Sequence, residues 1–172
     1  MMHSTKKWLT LVAVGLIGVL LYIFFWYILF WAAGNPLLSE HRSKDFFFYV
    51  ALIAGSLYVF RFRLNQGEMR FWQGLLVGLF VSSLTLGLSA GFVWYYLTYA
   101  HPEHLQAFIN QFVQLLESNP EKAQQTYGAQ WGQVVSDLKK LTAWQLVLKE
   151  ELLKKIAVCG LITLTGSALL RK

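Results

Sequence analysis

An all-α membrane protein with four crossing helices is the fold class this sequence predicts, and three observations predict it. Hydrophobic residues make up 56% of the chain and charged residues only 14%, against about 25% charged in an average soluble domain. Four long apolar runs are separated by polar segments. The basic residues are distributed unevenly among those segments. The composition excludes a disordered chain, a collagen-like chain and an ordinary soluble enzyme. One cysteine among 172 residues excludes an intramolecular disulfide framework and a Cys-rich zinc site. Residues 1–172 read as a single membrane domain.

The first run extends from Trp8 to Ala33 without a charge. At about 1.5 Å per residue it reaches roughly 39 Å, enough to cross a hydrocarbon core of about 30 Å. A cleaved signal peptide is the rival reading, with Lys6 and Lys7 as its basic start and Ala32-Ala33-Gly34 as its cleavage site. The apolar stretch is about twice the usual length for that role, which favours an uncleaved span. The second run, Phe46 to Phe60, is short. Asp45 flanks it on one side and Arg61, Phe62 and Arg63 on the other. Arginine stems lie along lipid while the charge reaches the headgroups, so the usable span is 45–63. The third run, Phe71 to Ala100, is uncharged. The fourth, Ile156 to Leu170, gains Leu152, Leu153 and the snorkelling Lys154 and Lys155, giving 152–170. On these boundaries no ionisable residue falls in the central part of any span.

Charge sets the expected orientation. With the N-terminus inside, the inner segments hold Lys6, Lys7, Arg61, Arg63, Arg70, Arg171 and Lys172 against Glu68 alone, which is the whole +6 of the chain. The outer segments hold equal numbers of basic and acidic residues. Basic short loops stay on the cytoplasmic side, so both termini are expected there. The same split explains the basic balance without nucleic-acid binding.

The polar segment 101–154 reads as an extracytoplasmic helical insertion between spans 3 and 4. Pro102 suits a first helical turn. Leu105, Phe108, Ile109, Phe112, Val113 and Leu116 recur at helical spacing. Ser118-Asn119-Pro120 ends one helix and starts the next, with Ser118 or Asn119 as N-cap. Trp131, Val134, Val135, Leu138 and Leu141 form a second stripe. Thr142 and Gln145 fit a capping box that opens the last helix. Mutual packing, or packing on the bilayer surface, is the plain reading of the stripes. A docking face for a partner, anchored by Phe108, Phe112, Trp131 and Trp144, is the sharper one.

Further residues are candidates for contact or chemistry. Gly74, Gly78 and Ser82 form a small-residue row along span 3, and Gly87 and Gly91 a second row on a nearly opposite face. Such rows let helix backbones approach closely in lipid. His41, His101 and His104 fall on the expected outer side near Glu40, Asp45 and Glu103. They are weak metal candidates against a reading as solvated loop histidines. The run Lys149–Lys155 reads as an interfacial collar with Glu150–Lys154 and Glu151–Lys155 pairs. Cys159 reads as a buried packing residue.

The succession Phe60-Arg61-Phe62-Arg63, a turn with Gly67, then Met69-Arg70-Phe71-Trp72-Gln73-Gly74 and a span ending before Pro102 resembles an uncharacterised Bacteroidota membrane-protein family, domain of unknown function 4199. The resemblance runs from about Trp8 to Leu170. It implies four helices and a bacterial inner membrane, and no activity. No phosphate loop, metalloprotease motif or haem motif occurs. The expectation is therefore a non-enzymatic membrane protein without a cofactor, structural or accessory in role. It would meet the lipid bilayer and a second copy or membrane-complex partner through its outer helices. A small homo-oligomeric channel or transporter is the alternative. An enzyme using the outer His and Glu residues comes third.

Overall fold

The computed structural model describes residues 2–171, and the side chains of 7–121, 124–128, 130–149 and 151–171. Lys172, and the side chains of Lys6, Lys122 and Glu150, lie outside the described residues, so the Glu150–Lys154 pair does too. Among the described residues every regular element is helical. The helices are α1 (Met2–Ala33), α2 (Phe46–Val59), α3 (Phe71–Tyr95), α4 (Pro102–Ser118), α5 (Pro120–Tyr127), α6 (Trp131–Lys139), α7 (Ala143–Leu146) and α8 (Lys154–Leu169). Wider π-helical turns prolong α2 over Phe60–Leu64 and α3 over Tyr96–Ala100, and join α7 to α8 over Val147–Leu153.

Four helices are long and apolar enough to cross a membrane: Lys7–Ala33, Arg42–Leu64, Phe71–Ala100 and Ala143–Leu169. α1 shows why. Leu11, Val19, Tyr22, Trp26 and Leu29 are buried at helical spacing, while Leu16, Leu20, Phe24 and Ile28 point outward. A helix apolar on all sides, with only one side buried by protein, fits a lipid surround. α2 and α3 each pack on the other three spanning helices, so α1 and α8 take diagonal corners.

The fourth spanning helix begins at Ala143, and this corrects one expectation. The run Lys149–Lys155, expected as an interfacial collar with only 152–155 inside the span, lies wholly within this helix, and Glu151 and Lys155 face the bundle. The charge-dense run lowered the local hydropathy and hid the division of faces. Glu151 is 3% exposed, whereas Lys149 and Lys154 are exposed. The helix starts with the expected capping box: Gln145 N–H donates to Thr142 Oγ1 at 3.3 Å, and Thr142 N–H to Gln145 Oε1 at 3.0 Å. These bonds satisfy backbone donors that a helix start leaves without partners.

Between α3 and α7 the insertion forms a second, smaller core. Ile109 and Val113 of α4 meet Val135 of α6, flanked by Leu116, Trp131 and Leu138. The two stripes thus pack on each other. Leu105, Phe108 and Leu141 touch both this core and the main one, fixing the insertion to the bundle. Ile109→Asp is expected to remove about 2–5 kcal/mol of packing, as for other truncated core side chains, and also to bury an unpaired carboxylate. Phe112, 44% exposed, should tolerate the same change with a far smaller loss. Protease resistance near Gly128 and helicity of the two variants check this contrast.

Candidate functional site

The densest polar chemistry lies inside the bundle, near the end that carries the insertion. Tyr22 comes from the middle of α1. Arg42 and Asp45 come from the short turn before α2, and Tyr49 from its first turns. Glu151 comes from the π-helical turn and Lys155 from the start of α8. All but Lys155 and Arg42 are buried, and those two are only slightly exposed. The Glu151 carboxylate is the hub. Tyr22 Oη donates to its Oε2 at 2.8 Å. Arg42 Nη2 donates to its Oε1 at 2.8 Å. The Lys155 ammonium donates to both Glu151 and Asp45. That ammonium also lies 4.9 Å from the centre of the Tyr22 ring and 5.2 Å from that of Tyr49.

Two cations and two carboxylates make the group neutral. Taking such charges out of water costs several kcal/mol per ion. The cost is offset only because each carboxylate meets a cation and the tyrosines add a hydrogen bond and ring faces. The arrangement ties α1, α2 and the fourth helix together at one depth. Beside it opens a cavity of about 400 Å³, lined by Ser39, Glu40, Arg42, Asp45, Lys155 and Cys159 among others.

The same face of the fourth helix continues as a polar row at four-residue intervals. Glu151 and Lys155 are followed by Cys159, Thr163 and Ser167, all three buried. Small residues of α3 receive the lower part of the row. A Cβ on Gly74 would stand 2.8 Å from Ser167 Oγ, and one on Gly78 2.8 Å from Thr163 Oγ1. The glycines at these two positions therefore permit the α3–α8 approach. Ser82, also buried, donates to Leu79 O at 3.1 Å. Gly87 and Gly91 meet no neighbour within 4 Å.

The histidines divide. His101, Glu103 and His104 come together at the start of α4, with ligand atoms within 4.8 Å of one another. His41 caps a separate turn and is not part of that group. His101 Nδ1 donates to Glu103 Oε1 at 2.8 Å, and this bond holds the Glu103 carboxyl below its ordinary range. A hydrogen bond of 2.9 Å joins Tyr96 Oη and His104 Nδ1. Burial, then the neighbouring His101, hold His104 below the ordinary imidazole value. The two imidazoles are stacked, 10° from parallel at 4.9 Å, and Phe30 and Tyr96 contact both. A metal must lie in the plane of each imidazole that binds it, so shared ligation would require one ring to turn out of this stack. The arrangement serves aromatic packing at the join between bundle and insertion. Asn35 reinforces that join, its side-chain amide donating to His104 O at 2.9 Å.

The four aromatic residues expected to form a docking face also divide. Phe108 and Phe112 are in ring contact at 4.7 Å and line a groove of about 660 Å³ between the insertion and the spanning helices. Trp131 flanks the second core. Trp144 is exposed on α7 and does not line the groove. The buried ionic group was not expected as a site. Its signals were a tyrosine in the middle of an apolar run and the spacing 151, 155, 159, 163, 167, which repeats one helix face.

A family-wide sequence comparison matches residues 2–172 to the family described as "Protein of unknown function (DUF4199)". No match is found among curated proteins or among solved structures.

Proposed function

The chain belongs to the DUF4199 family, and we propose that it is a non-enzymatic integral membrane protein that works by binding at its insertion side. The Glu151-centred ionic group carries this reading. Every carboxylate and cation in it is paired, which suits a lock that fixes the helices around a binding surface better than a reacting centre. The membrane is a bacterial inner membrane, of the Bacteroidota, with both termini cytoplasmic and the insertion outside. The surrounding bilayer and a membrane-complex partner or second copy are its contacts, and nucleic acid is not.

The alternative is a small homo-oligomeric channel or transporter. It is favoured by the ionisable groups within the spanning helices, since such groups mark ion and substrate pathways. Two experiments bear on these readings. A reporter active only in the cytoplasm should work after Lys172, and one near Gly128 should need export; the opposite pattern would overturn the orientation. Liposomes containing the purified protein should stay tight to protons and small ions, with a stoichiometric component retained from native membranes. Ion flux without such a component would favour the pore.

A further inference from the structure

The lipid-facing surfaces of the four spanning helices do not reach the same height. Two glycine contacts set the register between α3 and the fourth helix: Gly74 lies against Ser167 and Gly78 against Thr163. The two helices are antiparallel, so each residue outward along α3 matches one residue back along the fourth helix. Both are regular α-helices over Gly78–Tyr95 and Lys154–Thr163. The register therefore carries Gly87 to the height of Lys154, and Leu88 to that of Leu153. That height falls close to the middle of the uncharged span Phe71–Ala100.

On α3 this level is apolar, with Gly87 and Leu88 exposed. α1 is also apolar outward, from Leu9 through Ile17, Leu20, Phe24 and Ile28 to Trp31, a length of about 33 Å. The fourth helix breaks the pattern. Its outward side chains Ile156, Leu161, Leu164 and Leu169 cover about 20 Å. Further out, Lys154 and Lys149 are both exposed. Lys154 stands about 10 Å inward of Trp94, an exposed ring of the kind that marks an interface. A snorkelling lysine stem does not cover that distance. Lys154 is not without a partner in the chain, yet an exposed charge at such a depth still draws water and headgroups toward it. The 400 Å³ cavity opens at the same depth, with Asp45, Glu151, Lys154 and Lys155 in its lining.

A helix face whose apolar part is too short for the bilayer is accommodated by local thinning or by association with another chain. Thinning costs little per ångström. A covering helix would have to bring its own acceptors to Lys149 and Lys154 inside hydrocarbon. We propose that the fourth helix is a leaflet-thinning face. Along it the headgroups on the insertion side descend to Lys154, whereas along α1 and α3 they stay at or beyond the level of Trp94. The partner of this face is the bilayer itself, locally thinned, and the inference does not depend on the binding role proposed above.

The test uses the full chain with Cys159→Ala, carrying Leu153→Cys in one protein and Leu88→Cys in another, each labelled with a nitroxide. Both positions are exposed and share one height. The proteins are placed in dioleoyl phosphatidylcholine vesicles containing a lipid with a nickel chelate on its headgroup. Thinning predicts severalfold stronger relaxation of the label at 153 than of the label at 88. Lys149→Leu with Lys154→Leu should bring the label at 153 down to the value at 88 and leave that at 88 unchanged, with helicity retained. Equal relaxation at the two positions before the lysines are replaced would overturn the proposal. So would a label at 153 reached by a soluble nickel chelate but not by the lipid-borne one, which would mark a water-filled cleft beside undeformed lipid. A label at 153 shielded from both chelates, with spin–spin broadening that unlabelled protein dilutes away, would assign the face to a second copy and also overturn it.

Discussion

Glu151→Ala is expected to destabilise the protein by about 3–5 kcal/mol, the range seen when one member of a buried ion pair is removed. The reason is what remains. Arg42 loses its carboxylate at 2.8 Å and Tyr22 its acceptor at 2.8 Å, while Lys155 keeps one carboxylate, that of Asp45. Two cations then share one carboxylate in a site shielded from water. Glu151→Gln retains the shape and an acceptor oxygen but not the charge, so its loss should be smaller. Thermal unfolding in detergent, monitored by helicity, gives the order wild type, Glu151→Gln, Glu151→Ala. An alanine variant as stable as the wild type would place Glu151 in water.

Gly78→Leu is expected to cost about 1–3 kcal/mol or more, as overpacking does in well-filled cores. A bare Cβ at that position already runs into the Thr163 side chain, and the rest of a leucine has nowhere to go between α3 and α8. Gly87→Leu on the same helix is the control. That glycine is exposed and has no neighbour within 4 Å, so its substitution should leave the unfolding temperature nearly unchanged. Equal effects at the two positions would mean that the α3–α8 contact is looser than the Gly78–Thr163 approach requires.

These two sites differ in how readable they were. Gly74 and Gly78 carry their role in spacing, because a small residue every fourth position leaves a flat strip on a helix whatever its partner. Which of the two small-residue rows would be used could not be read, since the choice depends on where α8 lies. The helix starts at Pro102, Pro120 and Thr142 were legible because they depend on local backbone chemistry. The stripes of α4 and α6 announced apolar faces but not their occupant, which is each other, across Ile109, Val113 and Val135. The ionic group was the least legible part. Arg42 and Asp45 are more than a hundred positions from Glu151 and Lys155. Taken separately, each looked like a residue flanking a span. Hydropathy averages over all faces of a helix, so a window rich in lysine and glutamate reads as water-facing. Here Glu151 and Lys155 turn inward while Lys149 and Lys154 turn outward.

The central claim is that charges distant in sequence are coupled inside the bundle. A double-mutant cycle on Arg42→Gln and Glu151→Gln, read from unfolding in detergent, tests it most directly. Contacting charged residues show interaction energies of about 0.5–3 kcal/mol, and this pair, joined at 2.8 Å, should fall in the upper half of that range. Substitutions that add within about 0.5 kcal/mol would contradict the account, because two residues that do not sense each other cannot belong to one buried ionic group.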